Sequence, residues 1–301
     1  MNDRLLEHID KAVQKTPFYK EALSVYMDLL SFLNENELKA KFVIKKDELI
    51  RDIKVKEGFP LFSRDNLPFD IKETSLLFFN IIEQLLSKKR KDKDSLQKIL
   101  VKLQDDSQWI QGAINAFLSS DKEKLADMSD KVSLSPMVLS FLTHMALKPS
   151  LEALKEAAGD MIQREEWDYG YCPLCGSSPD MAFFDGNGKR SLHCELCGLE
   201  WNYQRLKCPF CENSDAKKLG YFVSEDNEGL RVDFCKKCNF YIKTVDMRVN
   251  NLSIPLELEN LLTLHLDMLA HEQGFKSPGL IEESPLKETM IQGDPPLDIL
   301  Q

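Results

Sequence analysis

Cys172-Pro-Leu-Cys175, Cys194-Glu-Leu-Cys197, Cys208-Pro-Phe-Cys211 and Cys235-Lys-Lys-Cys238 contain every cysteine of this 301-residue chain. Two thiolates separated by two residues can bite one tetrahedral ion, and two such pairs complete a four-sulfur shell. Four pairs therefore predict two closed metal sites. The intervening loops hold 18, 10 and 23 residues, so the simplest assignment joins the first pair to the second and the third to the fourth, as two consecutive ribbons. An interleaved cross-brace is the alternative. After the second cysteine of a knuckle the backbone favours the left-handed region, which suits Gly and tolerates Asn. Gly176, Gly198 and Asn239 occupy that step, and Asn213 comes one residue later after Cys211. Pro173 and Pro209 stiffen two knuckles by fixing φ.

Other uses of the cysteines fit less well. Residues 1–171 contain none, and the start Met1 to His8 lacks the basic and apolar pattern of a secretory signal, so the expected compartment is the cytoplasm, where disulfides are rare. A redox dithiol needs only one Cys-x-x-Cys, at a helix start in a βαβ setting.

The net charge is −10, and residues 166–243 hold 10 Lys plus Arg against 12 Asp plus Glu. Such a balance disfavours nucleic acid, because phosphate contacts depend on clustered cations. Trp201, Tyr203, Arg205 and Lys207 have the flavour of a nucleic-acid-binding zinc ribbon, but Trp201 reads as ribbon core. No membrane span is expected, since the longest nearly uncharged stretch, Val132 to Leu147, has 16 residues and several polar ones. Hydrolytic or nucleotide-dependent catalysis has no support: there is no paired nucleophile and base, no phosphate-binding glycine loop and no open three-ligand site. A protein that is not an enzyme is expected.

Residues 1–165 read as an α-helical bundle. Thr16 and Pro17 mark one start, followed by Phe18, Ala22, Val25, Tyr26, Leu29, Leu30 and Leu33 at helical spacing. Asp70 with Glu73 in capping-box position leads into Leu76, Leu77, Phe79, Ile82, Leu85 and Leu86. A third segment runs from Leu96 to Phe117, Ser135-Pro136 opens a fourth, and Ser150 caps a fifth with Leu151, Leu154, Ala158 and Met161. The aromatic connector Gly58 to Asp70 reads as a loop folded over the bundle, with a partner-binding surface as the alternative. The run Lys88 to Asp94 reads as a solvated break.

Beyond the cysteines, Pro255 starts a last helix with Leu258, Leu261, Leu262, Leu266, Met268 and Leu269, ending at Gly274. His265 and His271 are six residues apart and do not share a face as a chelating pair would, so they read as structural or exposed. His193 adjoins Cys194 but faces a sulfur shell already complete, and is expected to support the ligands at most. The segment 277–301, rich in Pro and Glu, reads as a loosely ordered tail.

Tyr171-Cys-Pro-Leu-Cys-Gly176, Leu192-His-Cys-Glu-Leu-Cys197 with Glu200-Trp201, Arg205-Leu-Lys-Cys208, Cys211-Glu212, and Cys235-Lys-Lys-Cys238 with Tyr241-Ile-Lys243 resemble the formate dehydrogenase accessory protein FdhE family. Leu266 to Ala270 and Glu272 to Phe275 are similar to that family's C-terminal signature, so the resemblance covers roughly 171–280. It implies a cytoplasmic assembly factor acting on the catalytic subunit of a molybdenum- or tungsten-dependent formate dehydrogenase. It also implies rubredoxin-like sites formed by Cys172, Cys175, Cys194, Cys197, Cys208, Cys211, Cys235 and Cys238. Spacing alone leaves the metal as iron or zinc, because both accept a tetrahedral four-thiolate shell. The rival functions are a rubredoxin-type electron carrier and a nucleic-acid-binding zinc ribbon.

The expected architecture is thus α plus small β. A helical domain at 1–165 precedes rubredoxin-like or zinc-ribbon domains at 166–206 and 207–250, a C-terminal helix at 251–276 and the tail at 277–301.

Overall fold

A computed structural model describes residues 19–35, 57–88, 93–106, 108–159, 162, 167–224, 228–249 and 255–277. The start at Thr16-Pro17, most of the Lys88 to Asp94 run and the tail after 277 lie outside the described residues. The described chain forms two compact units: a helical one from 20–35 and 64–156, and a sheet unit from 57–63 and 157–277.

In the helical unit, α1 (Tyr19–Glu35) buries Leu23, Val25, Tyr26, Leu29 and Leu33 along one stripe. Asp70 caps α2 (Ile71–Ser87), its carboxylate accepting from the backbone N–H groups of Lys72 and Glu73. The buried face of α2 is Leu77, Phe78, Ile81, Ile82 and Leu85. Leu76, expected in the core, is 62% exposed, while Phe78 and Ile81 are fully buried. An almost continuous apolar run leaves the azimuth undetermined until neighbouring helices choose a side.

The predicted segment from Leu96 to Phe117 is two helices, α3 (Lys93–Asp105) and α4 (Trp109–Leu118). Between them the Asp106 carboxylate accepts from the Gln108 N–H, a local turn that competes with helix continuation. The short α5 (Lys122–Asp130), capped by Asp121, has no counterpart in the sequence reading.

The fourth and fifth predicted helices are one, α6 (Pro136–Ala158), which passes through Pro149. Ser150 is a buried helical residue, not a cap. A mid-helix proline costs about 3 kcal/mol, which the burial of Leu151 and Leu154, at roughly 2 kcal/mol each, offsets.

The sheet unit contains β1 (Pro179–Phe184), β2 (Arg190–Cys194), β3 (Glu200–Asn202), β4 (Leu219–Val223), β5 (Leu230–Cys235) and β6 (Tyr241–Asp246). Their order is β3-β2-β1-β6-β5-β4. Each ribbon is antiparallel, and the two join through a parallel seam pairing Met181 to Phe184 with Lys243 to Asp246. The two ribbons therefore share one six-stranded sheet. Alternation sends Leu230, Val232, Tyr241 and Val245 to one face, where they pack with Met181, Phe183, Leu256, Leu266 and Ala270.

The covering helices are α7 (Leu256–Leu262) and α8 (Leu264–Glu272), where one helix was expected. Thr263 breaks it: its φ and ψ are −114° and 22°, and its hydroxyl donates to the carbonyls of Glu259 and Asn260. Gly274 takes φ 83° just past the end of α8, as a C′ glycine does.

The connector divides between the units. Leu61 and Phe62 donate backbone N–H groups to Pro173 and Leu174 carbonyls at 2.9 Å, which lays this half on the first knuckle. Arg64, by contrast, packs on Phe117 of α4 and donates to its carbonyl. Leu61 and Phe62 thus have their backbone partners in the sheet unit, and Phe59, expected as a core plug, is 61% exposed.

Candidate metal centres

The four knuckles share one backbone construction. The residue after the second cysteine returns its N–H to the carbonyl of the first cysteine: Gly176 to Cys172, Gly198 to Cys194, Glu212 to Cys208 and Asn239 to Cys235. The first cysteine's N–H in turn donates to the carbonyl five residues on, at Ser177, Leu199, Asn213 and Phe240. Closing this double bond requires positive φ at the returning residue, and the four values are 75°, 65°, 56° and 61°. Glu212 supplies the third in place of Asn213. Asn213 instead points its amide at Cys235 Sγ across the cluster, at 3.8 Å, a contact with no sequence signal beyond its position.

These turns bring Cys172, Cys175, Cys194 and Cys197 into one group and Cys208, Cys211, Cys235 and Cys238 into another, with the sulfurs of each group all within 4.8 Å of one another. Bonded contacts are 3.5–3.6 Å in the first group and 3.7 Å in the second. A tetrahedral ion with metal–sulfur bonds of about 2.3 Å requires an edge near 3.8 Å. The spacing fits a closed four-thiolate shell and is far too long for a disulfide, whose bond is about 2.0 Å. The pairs combine in chain order, without cross-bracing.

The thiols of the two groups differ in electrostatics. Burial pushes the Cys172, Cys194 and Cys208 thiols above their ordinary range. At Cys175 burial acts in the same direction, but hydrogen bonds from Cys172, Cys194, Cys197 and Ser177 outweigh it and hold the thiol low. At Cys235 backbone N–H groups of Cys238 and Lys237 likewise overcome burial. Cys238 is raised by burial to about 11. The two centres differ in access: the first has four buried cysteines, whereas Cys211 and Cys238 of the second are half-buried.

Residues between the ribbons fasten the centres together. Trp201 is 1% exposed, its indole N–H donating to the Tyr169 carbonyl, as a ribbon-core residue. The Tyr203 hydroxyl donates to the Cys208 carbonyl, and Lys207 reaches the Asp168 carboxylate and carbonyl. His193 is buried and bonds Asp180 at 2.7 Å, so it braces β1 against β2 and makes no contact with a sulfur. Asp180, through electrostatics and this bond, raises the imidazole against the lowering effect of burial. His271 packs edge-on to Tyr241 and does not meet the sulfurs.

Residues 171–205 match the family profile described as FdhE, central domain, and residues 206–281 that described as FdhE, C-terminal domain. Over this segment the chain is similar to the FdhE family. An FdhE homolog from Aquifex aeolicus is 37% identical over 146 residues, covering 47% of this chain and 50% of that protein. One from Stutzerimonas stutzeri is 34% identical over 164 residues, half of each chain. The chain thus spans about half the length of these curated relatives. The crystal structure of the FdhE protein from Pseudomonas aeruginosa is similar in fold, with TM-score 0.61 and 20% identity over 86% of this chain and 87% of that one. All eight cysteines lie within the two matched stretches, four in each, as the sulfurs are split between centres.

Proposed function

We propose that this chain is an accessory factor that binds the catalytic subunit of formate dehydrogenase in the cytoplasm and supports its maturation or activation, without turnover of its own. Two metal ions, iron or zinc, are held by Cys172, Cys175, Cys194 and Cys197 and by Cys208, Cys211, Cys235 and Cys238. The observation that carries the reading is the pair of complete four-sulfur shells lying within an FdhE segment. Closed shells leave no open coordination position for a substrate, which favours a docking or electron-exchange role over metal-centred hydrolysis. The division into a helical domain at 1–165, ribbons at 166–206 and 207–250, a helix at 251–276 and a tail at 277–301 belongs to the same proposal. No described helix is long and apolar enough to cross a membrane.

Affinity purification of the tagged protein from an anaerobically grown host, followed by mass spectrometry, tests the reading. The expected result is recovery of a formate dehydrogenase catalytic subunit, lost when Cys172/Cys175 and Cys235/Cys238 are replaced by serine. Recovery of nucleic-acid machinery would overturn it.

A second reading, a rubredoxin-type electron carrier, is favoured by the half-buried Cys211 and Cys238, since partial exposure of ligand sulfur eases electron exchange. It requires bound iron with a reversible visible spectrum under reduction and reoxidation. A colourless, zinc-loaded protein from the native host would exclude it.

A further inference from the structure

The sheet face opposite α7 and α8 carries a cleft of ≈ 490 Å³, walled on one side by Cys208 and Cys235 of the second centre. Tyr221, Arg231, Asp233 and Ile242 line it from strand positions that alternate with those packed under the helices. On a chain of net charge −10, the cleft gathers Arg190, Arg205 and Arg231 against the single lining carboxylate of Asp233, while Lys207 at its wall is paired with Asp168.

That carboxylate is already divided. It pairs with Arg231 at 3.0 Å, stands 3.6 Å from Arg190 and accepts from the Thr244 hydroxyl at 2.8 Å. Arg190 is 4% exposed, and its buried Nε has no hydrogen-bond partner among the described residues. Arg205 lies 4.9 Å over the ring of Phe184, and among the described residues its guanidinium has no ion pair or hydrogen bond. A divalent ion would leave a four-thiolate shell anionic, and Arg190 lines the same cleft as Cys208. Compensation of that charge accounts for Arg190 but leaves Arg205, at the exposed rim, unexplained.

The rim is also apolar: Leu206 is 64% exposed and Tyr221 60%, and Val223, two residues beyond Tyr221 on the same strand, is 42% exposed. Tyr221 and Val223 belong to β4, the edge strand. Exposed Tyr and Arg around a concave centre are the residue types that dominate protein recognition. A bare phosphate or carboxylate would satisfy Arg205 and Arg190 but leave Leu206 and Tyr221 uncovered.

We infer that this cleft is a docking site for an acidic peptide segment of a protein partner, its carboxylates meeting Arg205 and Arg231 and a neighbouring apolar side chain covering Leu206 and Tyr221. The inference deepens the proposed function, which supplies the partner: the segment would belong to the formate dehydrogenase catalytic subunit.

Two measurements on the metal-loaded full chain separate the ideas. The first is fluorescence anisotropy with a labelled peptide of alternating Glu and Leu ending in Tyr, alongside its Glu-to-Lys counterpart, ATP and pyrophosphate. Binding of the acidic peptide alone is expected, weakened on the order of tenfold by Arg205→Glu and several-fold by Leu206→Asp, and steeply reduced by salt. Both side chains are exposed, so unchanged metal content and thermal unfolding certify the variants as folded. No peptide binding, equal binding by Arg205→Glu, or tighter binding of ATP or pyrophosphate overturns the inference.

The second is binding of the purified catalytic subunit to the wild type and both variants. Equal binding by all three overturns the cleft and leaves the accessory function standing. No binding to the wild type, with peptide binding intact, removes that client and leaves the cleft standing.

Discussion

Glu212 is the residue at which the knuckle rule is imposed on an unsuited side chain. Its φ of 56° costs a β-carbon-bearing residue roughly 1 kcal/mol, and the two backbone bonds of the knuckle hold it there. Asn tolerates that region better, as Asn239 does in the fourth knuckle. Glu212→Asn is therefore expected to raise stability by a few tenths to about 1 kcal/mol, read as a higher unfolding temperature at equal metal content. Gly176→Ala should move the other way, since φ is 75° and the new methyl would stand 3.2 Å from Pro60. A loss of about 1–2 kcal/mol is expected. Gly176, Gly198 and Asn239 were legible in the sequence because their side chains match the backbone they adopt. Glu212 was not, because only the hydrogen-bond pattern around Cys208 dictates its conformation.

At the scale of elements, close approach and buried charge join the pieces of the sheet unit. A β-carbon on Gly170 would lie 1.7 Å from the Pro209 carbonyl oxygen, so the lead-in to the first ribbon fits the third knuckle only with glycine. Gly170→Ala should separate these segments and speed metal release from the second centre, followed with a chromogenic chelator. On the opposite face, Lys243 of β6 is 3% exposed and bonds Asp267 of α8 at 2.6 Å, while Tyr241 donates to the other carboxylate oxygen. Asp267→Ala leaves the buried Lys243 ammonium without its counter-charge, held only by the Asn260 carbonyl, and is expected to cost about 3 kcal/mol in chemical denaturation. Asp267→Asn should cost less, since it keeps one acceptor. A helix of this length was readable from Pro255 and its leucines, but the break at Thr263 was not, because threonine within an apolar stripe carries no unique stop signal.

The whole molecule couples metal, protons and folding. Because burial holds several ligand thiols protonated, metal uptake should release protons near neutral pH, measurable with an indicator dye during zinc titration. The sign is fixed: thiolates bind the ion and thiols do not, so affinity falls as pH falls. Native mass spectrometry during acidification or chelation should show the second centre emptying first, because Cys211 and Cys238 are half-buried whereas the first centre's cysteines are all buried. Simultaneous loss would mean that the shared sheet makes the two centres one cooperative unit.

The sequence alone determined the four knuckles, their pairing in chain order, the eight candidate ligands and the helical character of the described residues between 70 and 158. Each of these is local: two thiols two residues apart, a residue suited to positive φ, a capping aspartate at Asp70, or apolar side chains at helical spacing. Only the tertiary structure decided that β1 and β6 fuse both ribbons into one sheet, that residues 61–62 lie on the first knuckle, and that α6 continues through Pro149. It also gathered Arg190, Arg205 and Arg231 around a cleft beside the second centre. Parallel strand pairing, helix azimuth and the convergence of side chains distant in sequence are selected by what each surface can bury. No short window of residues carries that information.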